Sequence, residues 1–86
     1  MIKCSAILLP NGKIYSGYRH SDCFAQIPDD ETRFGEVQGF ITDKNLFVNR
    51  QMALQIAIDC KQVVEGKTIS PSMLYSEDLY TNHKWI

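Results

Sequence analysis

The sequence predicts an α+β fold: an antiparallel sheet from two β-hairpins, with one long and one short α-helix packed on it. Three observations predict it. Asn11-Gly12 separates two short apolar runs, and a second pair of runs flanks Asp43-Lys44-Asn45. After Asn49, apolar residues recur at helical spacing.

Ile2–Leu9, rich in Ile, Leu and small residues, predicts β1, and Lys13–Gly17 predicts β2. Asn-Gly between them suits a tight hairpin because both residues tolerate positive φ. Ser21–Ile27 places Cys23, Phe24 and Ile27 on one helical face, with Pro28 just beyond it, and predicts a short helix. Pro28–Gly35 is polar and aperiodic, hence a loop. Glu36–Thr42 and Leu46–Val48 predict the second hairpin, whose loop suits a type I turn with Asn45 left-handed. Asn49 is placed to cap a helix over 50–65, whose apolar positions are Met52, Ala53, Ile56, Ala57, Cys60, Val63 and Val64. Gly66 is the expected stop. Beyond it lie a Ser70-Pro71 break, a strand candidate at Met73–Tyr75, and Ser76-Glu77-Asp78 before Leu79 and Tyr80.

The chain has 86 residues, 44% hydrophobic and 22% charged, which suits one domain. A domain near this size buries only about 60–65% of its unfolded surface, so a homo-oligomeric interface is an attractive way to enlarge the core. No apolar stretch approaches the roughly 18–20 residues of a membrane span, and Met1–Pro10 does not read as a secretory signal. A cytoplasmic protein is expected. Nine Lys+Arg against ten Asp+Glu give a net charge of −1, without the basic excess of a DNA- or RNA-binding module. Local arginines must therefore hold any anion, and there are three: Arg19, Arg33 and Arg50. Three cysteines with no CxxC pair argue against a disulfide scaffold or structural zinc; Cys4, Cys23 and Cys60 read as small hydrophobes in a reducing compartment.

Few constellations carry chemistry. His20, Asp22 and Cys23 are too close in sequence to converge on a metal, and His83 is the only other histidine. No metal, cofactor or catalytic group is expected. Arg19-His20, at the mouth of the short helix, is either an anion site or a pair of solvated polar residues. Asn49-Arg50 repeats that logic at the long helix. A cation in a first turn opposes the helix dipole by about 0.3–1 kcal/mol unless an anion or carboxylate lies beside it. Phe40 and Phe47, on the second hairpin, are either core or rings that stack on a base. Ser76-Glu77-Asp78 is either an N-cap motif or a source of carboxylates for Arg50 or for ribose hydroxyls. Trp85 is either an anchor across an interface or exposed.

Three strings carry a resemblance: Gly-Tyr-Arg-His-Ser-Asp-Cys at 17–23, Gln-Gly-Phe-Ile-Thr-Asp-Lys-Asn-Leu-Phe-Val-Asn-Arg-Gln-Met-Ala-Leu-Gln-Ile-Ala at 38–57, and Leu-Tyr-Ser-Glu-Asp-Leu-Tyr at 74–80. In this order and spacing they resemble a family of small phage-encoded proteins, similar to the Thoeris anti-defence sponges of the first type. The resemblance implies a non-enzymatic role: holding cyclic ADP-ribose isomers, or the cyclic di- and trinucleotide signals of CBASS defence, without cleaving them. It implies assembly with itself, as a homodimer or as a hexamer built from three dimers. The matching positions are Arg19, His20, Phe40, Asn49, Arg50, Ser76 and Asp78, with Phe47 the other ring available for stacking. The competing expectations are a module that inhibits a host protein by direct contact and a small hydrolase acting on the same signals. Neither DNA or RNA nor a membrane is an expected partner.

Overall fold

Asn11 and Gly12 turn the chain through a left-handed glycine, φ 90°. The turn joins β1 (Ile2–Leu8) to β2 (Ile14–Gly17). It is closed by Gly12 N–H donating to the Leu9 carbonyl at 2.9 Å and Leu9 N–H donating to Lys13 at 2.9 Å. The second hairpin, β3 (Val37–Thr42) and β4 (Phe47–Asn49), turns through Asn45 at φ 62°, the left-handed position expected there. Antiparallel pairing of β1 with β3 sets Ser5 opposite Phe40 and Ile7 opposite Gln38, giving the strand order β2-β1-β3-β4. The computed structural model describes residues 1–31 and 34–80. Thr32, Arg33 and residues 81–86, which include His83 and Trp85, lie outside the described residues.

Because side chains alternate along a strand, the register sorts the sheet into two faces. Ser5, Ile7, Phe40 and Val48 point to the face that carries the helices. There α1 (His20–Ala25) sets Cys23 with Ile7, Leu9 and Ile27 in one apolar cluster. A larger cluster joins Ile2, Phe40 and Val48 to Ala53, Leu54 and Ala57 of α2 (Arg50–Asp59) and to Leu74 and Leu79 around α3 (Ser76–Tyr80). The opposite face presents Cys4, Leu8, Ile14, Val37, Ile41 and Phe47 and, among the described residues, carries no helix; Ile14 and Val37 are 46% and 44% exposed.

Five expectations need correction. The helix expected over 50–65 ends at Asp59, because Lys61 turns left-handed at φ 60° and Gln62 and Val63 both donate to the Ala57 carbonyl. Gly66, at φ 81°, shapes the loop beyond rather than stopping the helix. Met73–Tyr75 is not a strand; among the described residues its backbone bond to an element other than the adjoining α3 is Leu74 N–H to the Arg50 carbonyl at 2.9 Å. Ser76 does not cap α3. It lies inside the helix, and Asp78 closes the first turn by accepting from Tyr75 N–H at 2.9 Å. Finally, Cys60 is exposed, whereas Cys23 is buried and Cys4 half-buried.

Candidate functional site

Arg50 opens α2 one residue after Asn49, whose side-chain oxygen accepts from Met52 N–H at 2.8 Å as expected of a cap. No acidic residue lies in that first turn, and the ion pairs among the described residues, Met1–Asp43 and Lys13–Glu31, leave Arg50 out. Neutral groups hold its guanidinium. Nη2 donates to Gln38 Oε1 at 2.6 Å, and the guanidinium carbon stands 4.5 Å from the Tyr75 ring centroid, a cation–π geometry. Its Nε–H is buried and has no hydrogen-bond partner among the described residues. The carboxylate alternative therefore has no support there, and the guanidinium stands against the helix dipole with one donor unmet.

His20 lies beside this arrangement but in the interior, 7% exposed. Its Nε2 is 2.8 Å from the Gly39 carbonyl and its Nδ1 is 3.0 Å from Ser76 Oγ. A carbonyl only accepts, so Nε2 carries the proton and Nδ1 accepts from the Ser76 hydroxyl. Burial pushes its pKa down, against the Gly39 hydrogen bond; the nearby Arg50 charge adds to the lowering and Glu77 opposes it. The ring is thus neutral at pH 7, and its edge meets Phe40 at 5.1 Å and 77°.

The residues singled out from the sequence separate into interior and surface. His20, Phe40 and Ser76 are all buried and pack together, so Phe40 has no surface from which to stack on a base. Phe47 lies on the uncovered face of the sheet, half-buried over Gly39, where a Cβ would come within 2.7 Å of the ring. Asp78 is occupied by main-chain donors, Ile69 N–H at 2.8 Å and Tyr75 N–H at 2.9 Å, rather than by Arg50. Arg19 precedes α1, half-buried, with its guanidinium 5.9 Å from the Tyr18 ring and its N–H donating to Asp22 at 3.0 Å. These partners lie on its own turn, none of them at Arg50.

Two contributors escaped the sequence reading. Gln38 carries no local signal, since a glutamine on a strand has no distinguishing pattern. Gln38 and Tyr75 both lie within the strings that carry the resemblance, yet only the topology sets them against Arg50. Among the described residues no group of three or more His, Cys, Asp or Glu stands together to hold a metal. Among the described residues no helix is long and apolar enough to cross a membrane. Cys23, its thiol pushed up to about 11 by burial, is a poor nucleophile. An open, mostly apolar groove of about 290 Å³ lies elsewhere, between the β3–β4 turn and α2, lined by Met1, Leu46, Val48, Met52 and Ile56. Its polar lining is Thr42, Asp43 and Lys44, and it includes none of Arg19, His20, Asn49, Arg50, Ser76 or Asp78.

Compared with known proteins, the chain matches one family model over residues 1–80, almost its whole length. No curated protein and no solved structure gives a significant match. The matched span contains every element of the sheet and all three helices, together with Arg50 and both groups that hold it; the chain belongs to the family described as phage T4 y16D protein.

Proposed function

We propose that this phage protein is an anti-defence sponge, acting in the cytoplasm of the infected cell. It binds a cyclic nucleotide immune signal, a cyclic ADP-ribose isomer or a CBASS cyclic di- or trinucleotide, and holds it intact. One observation carries the reading: Arg50 is a half-buried cation with no carboxylate partner and an unmet Nε–H. A buried donor without an acceptor costs about 1–3 kcal/mol. A phosphate oxygen relieves that penalty and takes the charge-assisted, two-pronged hydrogen bonding that guanidinium favours. Tyr75 already supplies an aromatic plane at the same place. Arg19 and Asn49 extend polar surface near the starts of their helices, and Phe47 offers a ring on the sheet's other face.

Sequestration needs enclosure, and 86 residues enclose little alone. The uncovered apolar face of the sheet supports self-association, because a solvated antiparallel face is ordinarily polar. That same face also supports a second reading, direct inhibition of a host protein.

The test is retention. Purified protein is incubated with cyclic ADP-ribose isomers and cyclic di- and trinucleotides, freed of unbound ligand, heat-denatured, and the released molecule identified by mass spectrometry. Intact ligand from the wild type and none from Arg50→Ala is the expected result. A linearised product indicates a hydrolase. An empty panel overturns the sponge and leaves the protein-contact reading.

A further inference from the structure

Arg50 is held by two walls on different elements: Gln38 on β3, and Tyr75 just ahead of α3. Each wall has an immediate chain neighbour hydrogen-bonded to one imidazole. Gly39, next to Gln38, gives its carbonyl to His20 Nε2, and Ser76, next to Tyr75, gives its hydroxyl to Nδ1. Resting on the anion-site reading of Arg50, we infer that His20 is the positioning residue of that site, one side chain that sets the separation of the two walls.

Three features carry this. First, the Tyr75 wall is coil, not strand or helix, so its distance from β3 is not fixed by a ladder. Leu74 N–H and Asp78 hold its main chain, the first to Arg50 itself and the second within the same segment. Second, among the described residues His20 and Arg50 are the two that hydrogen-bond both to β3 and to residues 74–76. Without His20, the guanidinium would have to define the place it occupies. Third, the ring is immobilised: 7% exposed, both nitrogens engaged, its edge against Phe40. A neutral imidazole with one donor and one acceptor, and two fixed partners of opposite kind, has a single orientation. His20 itself, being enclosed, touches no ligand; it acts through Gln38 and Tyr75.

The test uses His20→Gln, His20→Leu, Ser76→Ala and Arg50→Ala in the full chain. Glutamine keeps one donor and one acceptor, whereas leucine fills space with neither. The first readout needs no ligand: the ¹H–¹⁵N signal of Arg50 Nε–Hε, assigned by its loss in Arg50→Ala. The second is retention of cyclic ADP-ribose. His20→Leu and Ser76→Ala are expected to displace the Nε–Hε signal and weaken retention by about tenfold, with His20→Gln recovering most of both. A signal that stays at its wild-type position in Ser76→Ala and in whichever His20 variants fold overturns the proposal. If the signal responds as expected but wild type retains no cyclic ADP-ribose, the positioning role stands and the binding reading fails for that ligand. Retention that is unchanged in all His20 and Ser76 variants leaves the binding reading intact and overturns the positioning role.

Discussion

Gln62 pairs with Ile2 as a neighbouring strand residue would. Its Oε1 accepts from Ile2 N–H at 2.7 Å and its Nε2 donates to the Ile2 carbonyl at 2.9 Å. The pair lies at the start of β1, where the register against β3 slips between Ile2 and Cys4. A side-chain amide thus completes the sheet's hydrogen bonding across sixty residues of sequence. It also accounts for the early end of α2: the left-handed turn at Lys61 aims Gln62 at the strand.

Replacing Gln62 by leucine strands two buried main-chain groups, each worth about 1–3 kcal/mol when left unmet. The expected loss is about 2–4 kcal/mol, read as a lower denaturant midpoint at unchanged slope. A loss below about 0.5 kcal/mol, the usual size of a surface effect, would show that the amide clamp contributes little.

The cap at Asn49 gives a contrast in sign. Asn49→Ala is expected to lose about 1 kcal/mol by thermal or chemical unfolding, since Met52 N–H then has no acceptor. Asn49→Asp keeps the acceptor and adds a negative charge at the positive end of α2, so its stability should equal or exceed wild type. If Arg50 binds an anion, the same carboxylate should weaken retention while the fold strengthens.

His20 predicts how stability depends on pH. Its pKa is lowered in the folded chain from the ordinary 6.5, so between those two values the unfolded chain binds more protons. The His20 contribution to stability should be level above about pH 6.5 and fall as pH drops below it, by about 1.4 kcal/mol for each unit of lowering. Glu31 and Asp43, both lowered from ordinary carboxylate values, act at more acid pH and do not cover this window. Midpoints at pH 7.5 and 5.5 should differ in wild type and converge in His20→Gln; equal midpoints in wild type would contradict the neutral, buried ring.

The uncovered face of the sheet is tested by charge. Ile14→Lys with Val37→Lys adds two cations where the side chains are already half in water. Melting of the monomer should move little, within about 0.5 kcal/mol. Mass in solution, by light scattering, should drop to that of one chain. A wild type that is monomeric at tens of micromolar would remove this face as a self-association surface.

Much of the fold was legible because its signals are local. Asn11-Gly12, Asn45 and the cap at Asn49 each dictate their own backbone, and the structure places them in the turns and cap expected. The strand pairing between β1 and β3 joins distant segments, yet two hairpins with apolar faces have few other ways to share a core. What escaped depends on distant partners. The pattern through Val63 and Val64 continues the helical spacing, and only the pull of Ile2 on Gln62 breaks it. Ser76 reads as a cap by type, but a buried imidazole from α1 claims its hydroxyl and Asp78 takes the capping task. At the site, Arg50 was legible as a cation in the wrong place on a helix. Its neutral keepers, Gln38 and Tyr75, were not, because nothing in either neighbourhood distinguishes them before the chain is folded.

Gly39 joins the two sides of the sheet in a way that constrains how this sequence can change. Its carbonyl receives His20 on the helix side, while a Cβ on the other would strike the Val48 carbonyl and the Phe47 ring. The Phe47 ring can move aside, but the Val48 carbonyl belongs to the backbone of the β3–β4 pair and cannot yield without unzipping it. Even alanine is therefore barred. Drift in the second hairpin must go around this position, and as relatives diverge, position 39 should remain glycine after the residues on either side of it have been exchanged.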